Sequence, residues 1–276
     1  MQSGRPAKSL RVGAVPYLVG RPLIAGLGDG DGFHLSFAVP ARLVEGLRDG
    51  SLDVALVSSI ELFRRPGYGY LAGSAIAGRG FVASVQVFLN KPVDEVRSLA
   101  LDPASRTAQA LAQIMLARRA RALGQPAPRA FEPSNSSAED AGADAWLSIG
   151  DPALVRTLSP NAPPSFNPSL AWSEAFGLPF VFAAWVVRDT VNLTPKQLAA
   201  FSGARERGSA APALEQLAAA GAAQWKLPVS ACLRYLKEEC RYDPGLDFAP
   251  ALRRFRDEAA ALGLADGALE PRVLGP

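Results

Sequence analysis

Ser105, Arg106 and Thr107 stand in a row just ahead of an amphipathic run, and that arrangement can hold an anion. Hydroxyls and unpaired backbone N–H groups gather at a helix start and suit a carboxylate or a phosphate. Arg106 would add a bidentate contact. On spacing alone, the same three residues also read as a capped helix with Arg106 in solvent. Ser58 and Ser59 follow a short apolar strand and repeat the pattern, with an ordinary N-cap as the simpler reading. Ser84 is either a ligand contact or a small polar residue within a strand. Asp151, between Gly150 and Pro152, is either a ligand contact or a helix cap. The loop at residues 17–21 completes the set, because ligands collect beyond the ends of strands in open α/β sheets.

Other chemistries find few residues to work with. The single histidine, His34, sits in a strand-like segment with no nucleophile elbow beside it, and reads as a surface residue. One histidine and two distant cysteines make no zinc cluster. Cys232 and Cys240 read as reduced thiols rather than a disulfide. No Gly-x-Gly-x-x-Gly follows a strand, and no Walker A loop is present. The net charge of +3 gives no strong field for nucleic acid. No apolar run approaches the roughly 20 residues that span a bilayer. The polar opening, residues 1–9, lacks the apolar core of a secretory signal, so a cytoplasmic, membrane-free protein is expected.

The elements that must position these residues alternate. Residues 10–15 read as a buried strand, 33–39 as a second and 53–57 as a third. A helix opens at Pro40 with Leu43, Val44 and Leu47 on one face. Residues 82–89 read as a strand reaching a crossing point at 90–92. Residues 98–101 begin a second α/β unit. The helix after Ser105 carries an apolar face of Ala108, Leu111, Ala112, Met115 and Leu116. Residues 145–149 form a buried strand, 159–168 a loop and 180–188 a return strand. Helical patterns follow at 194–207, 210–222, 229–239 and 250–262. The expected architecture is α/β in two lobes, with a ligand cleft between them and a helical C-terminal tail. Residues 1–91 and 185–276 would form the first lobe, and 92–184 the inserted second.

The order VGAVPYLVGRPL, LRDGSLDVALVSSIEL, VASVQVFLNKPVDEVRSLALDPASRTAQALAQIML, SIGDPAL and GLPFVFAAWVVR resembles the chorismate dehydratase family. The tail CLRYLKEECRYD fits as well, so the resemblance covers nearly the whole chain. It implies a periplasmic-binding-protein type 2-like fold working in the cytoplasm. It also implies a lyase that removes water from chorismate, giving 3-[(1-carboxyvinyl)oxy]benzoate on the futalosine route to menaquinone. The implied partner is a small-molecule carboxylate, without metal or organic cofactor. Ser58, Ser59, Ser84, Ser105, Arg106, Thr107 and Asp151 are the expected substrate-binding residues, while no catalytic residue is assigned and oligomeric state stays open. The family pattern has Asn after Tyr-Leu in the first loop, where this chain has Val19 and then Gly20. Valine has no hydrogen-bonding side chain. The alternative is therefore a catalytically impaired relative that binds a small aromatic or enolpyruvyl carboxylate.

Overall fold

The computed structural model describes residues 9–28 and 32–275. The polar opening, apart from Ser9, lies outside the described residues.

The first sheet opens with β1 (Leu10–Ala14), β2 (Phe33–Phe37) and β3 (Val54–Ser58), with β1 parallel to both neighbours. Helix α1 (Pro40–Asp49) returns the chain from β2 to β3. Pro40 suits its first turn, Gly50 ends it in the left-handed conformation, and Leu43, Val44 and Leu47 are buried as their spacing requires. The long strand β4 (Tyr68–Gly78) follows. Three glycines and three alanines in its eleven residues carry little strand propensity and hide it in the sequence. Two of those glycines make room for neighbours. A Cβ at Gly69 would lie 2.6 Å from the Arg272 carbonyl oxygen, and one at Gly78 would lie 2.4 Å from a Val82 methyl.

The second sheet contains β5 (Val85–Leu89), β6 (Ser98–Ala100), β7 (Arg129–Phe131), β8 (Ala145–Ile149) and β9 (Ser165–Phe166) in the order β7-β6-β8-β5-β9. Helix α2 (Arg106–Ala122) joins β6 to β7, α3 (Gly150–Thr157) follows β8, and α4 (Pro168–Phe176) follows β9. Strand β10 (Phe180–Arg188) returns to the first sheet and lies antiparallel between β3 and β4. Both central strands depart from the expected boundaries. β5 pairs with β8 and β9, and Asn90 at its end bonds to Ala143, so the chain has changed sheets before Val85 rather than near residue 91. All of β10 lies in the first sheet, beginning at Phe180 rather than 185.

The tail packs on the first sheet through α5 (Pro195–Ser209), α6 (Ala211–Trp225), α7 (Val229–Arg234) and α8 (Phe248–Ala261). Strands β11 (Cys240–Arg241) and β12 (Arg272–Leu274) pair with opposite ends of β4. A π-helical turn, Tyr235–Glu239, separates α7 from β11 where the sequence suggested one continuous helix.

Helix α2 holds the lobes together. Ala108, Ala112 and Leu116 join the core of the second sheet, whereas Ala110, Leu111, Ile114 and Met115 join the core of the first. The single apolar face expected from the sequence is thus two faces, because this helix is covered on both sides. The first crossing, residues 79–84, is pinned by hydrogen bonds. Gly80 N–H donates to Ser173 Oγ at 2.7 Å, Ala83 N–H donates to Glu239 Oε2 at 2.8 Å, and Asn167 Nδ2 donates to the Val82 carbonyl at 3.0 Å.

Candidate functional site

A cavity of about 650 Å3, including its open mouth, lies between the sheets. Its walls come from the ends of β1 and β3, the first crossing, the start of α2, the end of β8 and the π-helical turn. Val15, Val19, Leu56, Ile149 and Phe182 make most of the lining apolar. The polar side chains are Tyr17, Ser58, Ser84, Ser105 and Tyr235, together with the Cys240 thiol. No charged side chain lines the cavity among the described residues.

The sequence placed Ser105 at a helix start, and the structure agrees. Its backbone is extended, and its Oγ accepts the Ala108 N–H at 3.3 Å, capping α2. The N–H groups of Arg106 and Thr107 have no intrahelical acceptor at such a start. Ser58 faces Ser105 across the cleft, with the two Oγ atoms 3.4 Å apart. Arg106 turns the other way. Its guanidinium pairs with Glu132 and donates to Gln109 Oε1 at 3.1 Å, and it is not part of the lining.

Thr107 and Ser59 are buried behind the cavity wall. Neither Ser58 nor Ser59 caps the 3-10 helix Ser59–Phe63 with its side chain. Thr107 does so from the other lobe, accepting the Ile60 N–H at 3.0 Å. Ser59 donates its one proton to the Val181 carbonyl at 2.6 Å. Its contact with Thr107 at 3.4 Å therefore has Thr107 as the donor. This chain of bonds ties α2 to β10 and to the 3-10 helix, so these two residues hold the lobes together rather than line the cavity.

Asp151 sits in the first turn of α3 and faces an outer groove with Trp146 and Trp225, while Gly150 beside it lines the cavity. The Leu18 backbone N–H bonds its carboxylate. Burial raises the Asp151 pKa above the ordinary carboxylate value, against the pull of that bond and of Arg21. Asp102, just before α2, is raised for the same reason although it accepts N–H bonds from Ala104 and Ile149 at 2.9 and 3.2 Å. Burial and these two carboxylates together push the Tyr17 phenol up.

Ser84 lies in the turn before β5 rather than inside a strand. Its carbonyl accepts the Gly150 N–H at 2.8 Å, which joins the crossing to the start of α3. The Tyr235 hydroxyl donates to its Oγ at 2.8 Å. Sequence reasoning missed Tyr235 and Cys240 as cavity residues. A regular helix through 229–239 gives no reason to aim Tyr235 inward; the π turn does. Cys232 and Cys240 are both buried and unpaired with each other. His34 is exposed on β2, away from the cavity lining. Among the described residues, no group of three or more His, Cys, Asp or Glu side chains is arranged to hold a metal, and no helix is long and apolar enough to cross a membrane.

The same architecture recurs in solved structures. A protein of Archaeoglobus fulgidus superposes with a TM-score of 0.69 at 17% identity, over 94% of this chain and all of that one. The periplasmic aliphatic sulphonate binding protein SsuA from Escherichia coli gives 0.63 at 18% identity, over 98% of this chain and 94% of its own. At such identities the likeness concerns the fold alone, a two-lobed α/β binding-protein fold with its cleft between lobes. Sequence reaches further. The chorismate dehydratase of Thermus thermophilus is 31% identical over 217 residues, which are 70% of this chain and 78% of that enzyme. A model of the menaquinone biosynthesis family matches residues 10–261. That span contains every strand of both sheets except β12, and every residue of the interlobe cavity, and by it the chain belongs to the menaquinone biosynthesis family.

Proposed function

We propose that this chain is a chorismate dehydratase. The observation that carries the proposal is the cavity itself: set between the lobes, largely apolar, lined by hydroxyls and a helix start, and without a charged side chain among the described residues. Such a site holds a carboxylate by hydrogen bonds and leaves acid–base work to the substrate. Chorismate has two carboxylates and a ring one dehydration away from aromaticity. The C–H electron pair enters the ring, the neighbouring C–O bond breaks, and hydroxide leaves with the proton as water. The enolpyruvyl carboxylate serves as the base, and the protein holds the reactive conformer and excludes bulk water.

Ser58, Ser84, Ser105 and the N–H groups that open α2 bind the substrate. Ser59 and Thr107 hold the walls together, and Asp151 fixes the first loop against α3. On this reading the enzyme works in the cytoplasm, on the futalosine route, without metal or organic cofactor. A second reading rests on Val19, which contributes an apolar surface to the lining. It would make the protein a binder of small aromatic or enolpyruvyl carboxylates with little turnover. Incubation with chorismate separates the two. Release of 3-[(1-carboxyvinyl)oxy]benzoate supports the enzyme, and tight binding without product supports the binder.

A further inference from the structure

Tyr235 is one of the largest fully buried side chains in the molecule, yet its hydroxyl reaches the cavity edge and donates to Ser84. The reason is local. The π-helical turn Tyr235–Glu239 adds a residue to the helical circuit before β11 begins at Cys240. Turns of this kind reposition side chains and recur at functional sites. β11 then pairs with β4 at Gly78, where the missing side chain lets Val82 and the Glu239 carbonyl come close. Glu239, at the end of the same turn, takes the Ala83 N–H. The turn therefore grips the crossing at Ser84 and at its neighbour Ala83.

The hydrogen bond has a direction. A serine hydroxyl has one proton and two lone pairs. Tyr235 remains a protonated phenol, since burial raises its pKa well above the ordinary value. The Cys240 thiol beside it is a weak acceptor, so the phenol proton goes to Ser84 Oγ. One lone pair of Ser84 is then occupied. Among the described residues Ser84 Oγ donates its own proton to no acceptor of the protein, and it lies in the cavity wall. Val19, also in the lining, neither donates nor accepts.

We propose that Tyr235 is a positioning residue that fixes Ser84 as a hydrogen-bond donor aimed into the cavity, toward an oxygen of the bound substrate. This deepens the dehydratase reading and rests on it. Without the phenol, Ser84 is free to rotate and to present a lone pair to an anionic ligand, which repels. Alignment of a donor ahead of reaction acts on turnover more than on ground-state binding.

The test is a double-mutant cycle on chorismate turnover with Tyr235→Phe, Ser84→Ala and the pair, each checked for folding by thermal denaturation. Tyr235→Phe should lower kcat about tenfold while KM moves less than about threefold. Added to Ser84→Ala it should cost nothing further, because its effect passes through Ser84. Cys232→Ala, which alters buried packing in the turn ahead of Tyr235, lies outside the cavity lining and keeps the phenol, should stay within about twofold of wild type. The inference is overturned by wild-type kcat in Tyr235→Phe, by losses that multiply in the double variant, or by an equal loss in Cys232→Ala. A wild-type protein that neither binds nor converts chorismate refutes the dehydratase reading itself and takes this inference down with it.

Discussion

Val19 and Arg106 are where residue identity and residue position part company. Arg106 has the chemistry to bind a carboxylate and stands beside a helix start, so its sequence context invites that role. Its side chain instead reaches Glu132 on the outer surface. Nothing in linear spacing tells which way a long side chain leaves the first turn. Arg106→Ala should therefore change chorismate affinity by less than about threefold, as loss of an exposed ion pair usually changes little; isothermal titration will check it. Ser105→Ala should do more, removing both a helix cap, about 1 kcal/mol of stability, and a hydroxyl of the cavity. Val19 is placed where its sequence context suggested, in the cavity wall. Val19→Asn should raise single-turnover rates while changing affinity less, the pattern of an interaction made mainly in the transition state. Ser58 and Ser105 were legible as cavity residues because each stands at or beyond the end of a strand, whereas Ser84 precedes β5 and was legible through the family pattern. Ser59 and Thr107 were legible as hydroxyls at helix starts, but their partners come from the opposite lobe, which no local pattern contains.

At the scale of elements, periodicity found the helices and most strands. Strand β4 escaped because its glycines serve close approaches to β12 and Val82. α2 was found, but its second buried face was not, since a helix covered on two sides loses the clean stripe that betrays one. Leu111 lies in that second set, fully buried in the core of the first sheet. Leu111→Ala should destabilise the protein by about 2–5 kcal/mol, read from denaturant unfolding. The crossing supplies a pH dependence. Burial raises the Glu239 pKa although Ala83 and Arg234 favour its charged form. A carboxyl raised on folding binds its proton more tightly in the native state. Its contribution to stability is full below the unfolded pKa and is lost as pH rises through the folded one. Asp102 and Asp151 act in the same sense. Glu239→Gln keeps an acceptor for the Ala83 N–H and removes the titration. Its melting temperature should fall less than that of wild type between about pH 4 and 7. A parallel fall in both proteins would show that Glu239 carries no part of the dependence.

Across the whole molecule, the two lobes meet through few residues of unusual weight: α2 with its divided faces, the Thr107–Ile60 bond, the Asp151–Leu18 bond and the pinned crossing. Alternating strands and helices announced two α/β units, and the return strand announced that one is inserted in the other. The point of crossing was displaced because β5 is apolar enough for either sheet, and only pairing with β8 and β9 decides. A ligand enclosed by both lobes stabilises their closed arrangement by mass action. Chorismate at about 100 times its dissociation constant should add about 2.7 kcal/mol to unfolding free energy. The most direct measurement is a single-turnover reaction of the purified protein, in excess over chorismate, with product followed by mass and ultraviolet absorbance. The account predicts stoichiometric formation of 3-[(1-carboxyvinyl)oxy]benzoate, loss of one water per substrate, and no requirement for added metal. Chorismate recovered unchanged, from a protein whose melting temperature it does not raise, would contradict it.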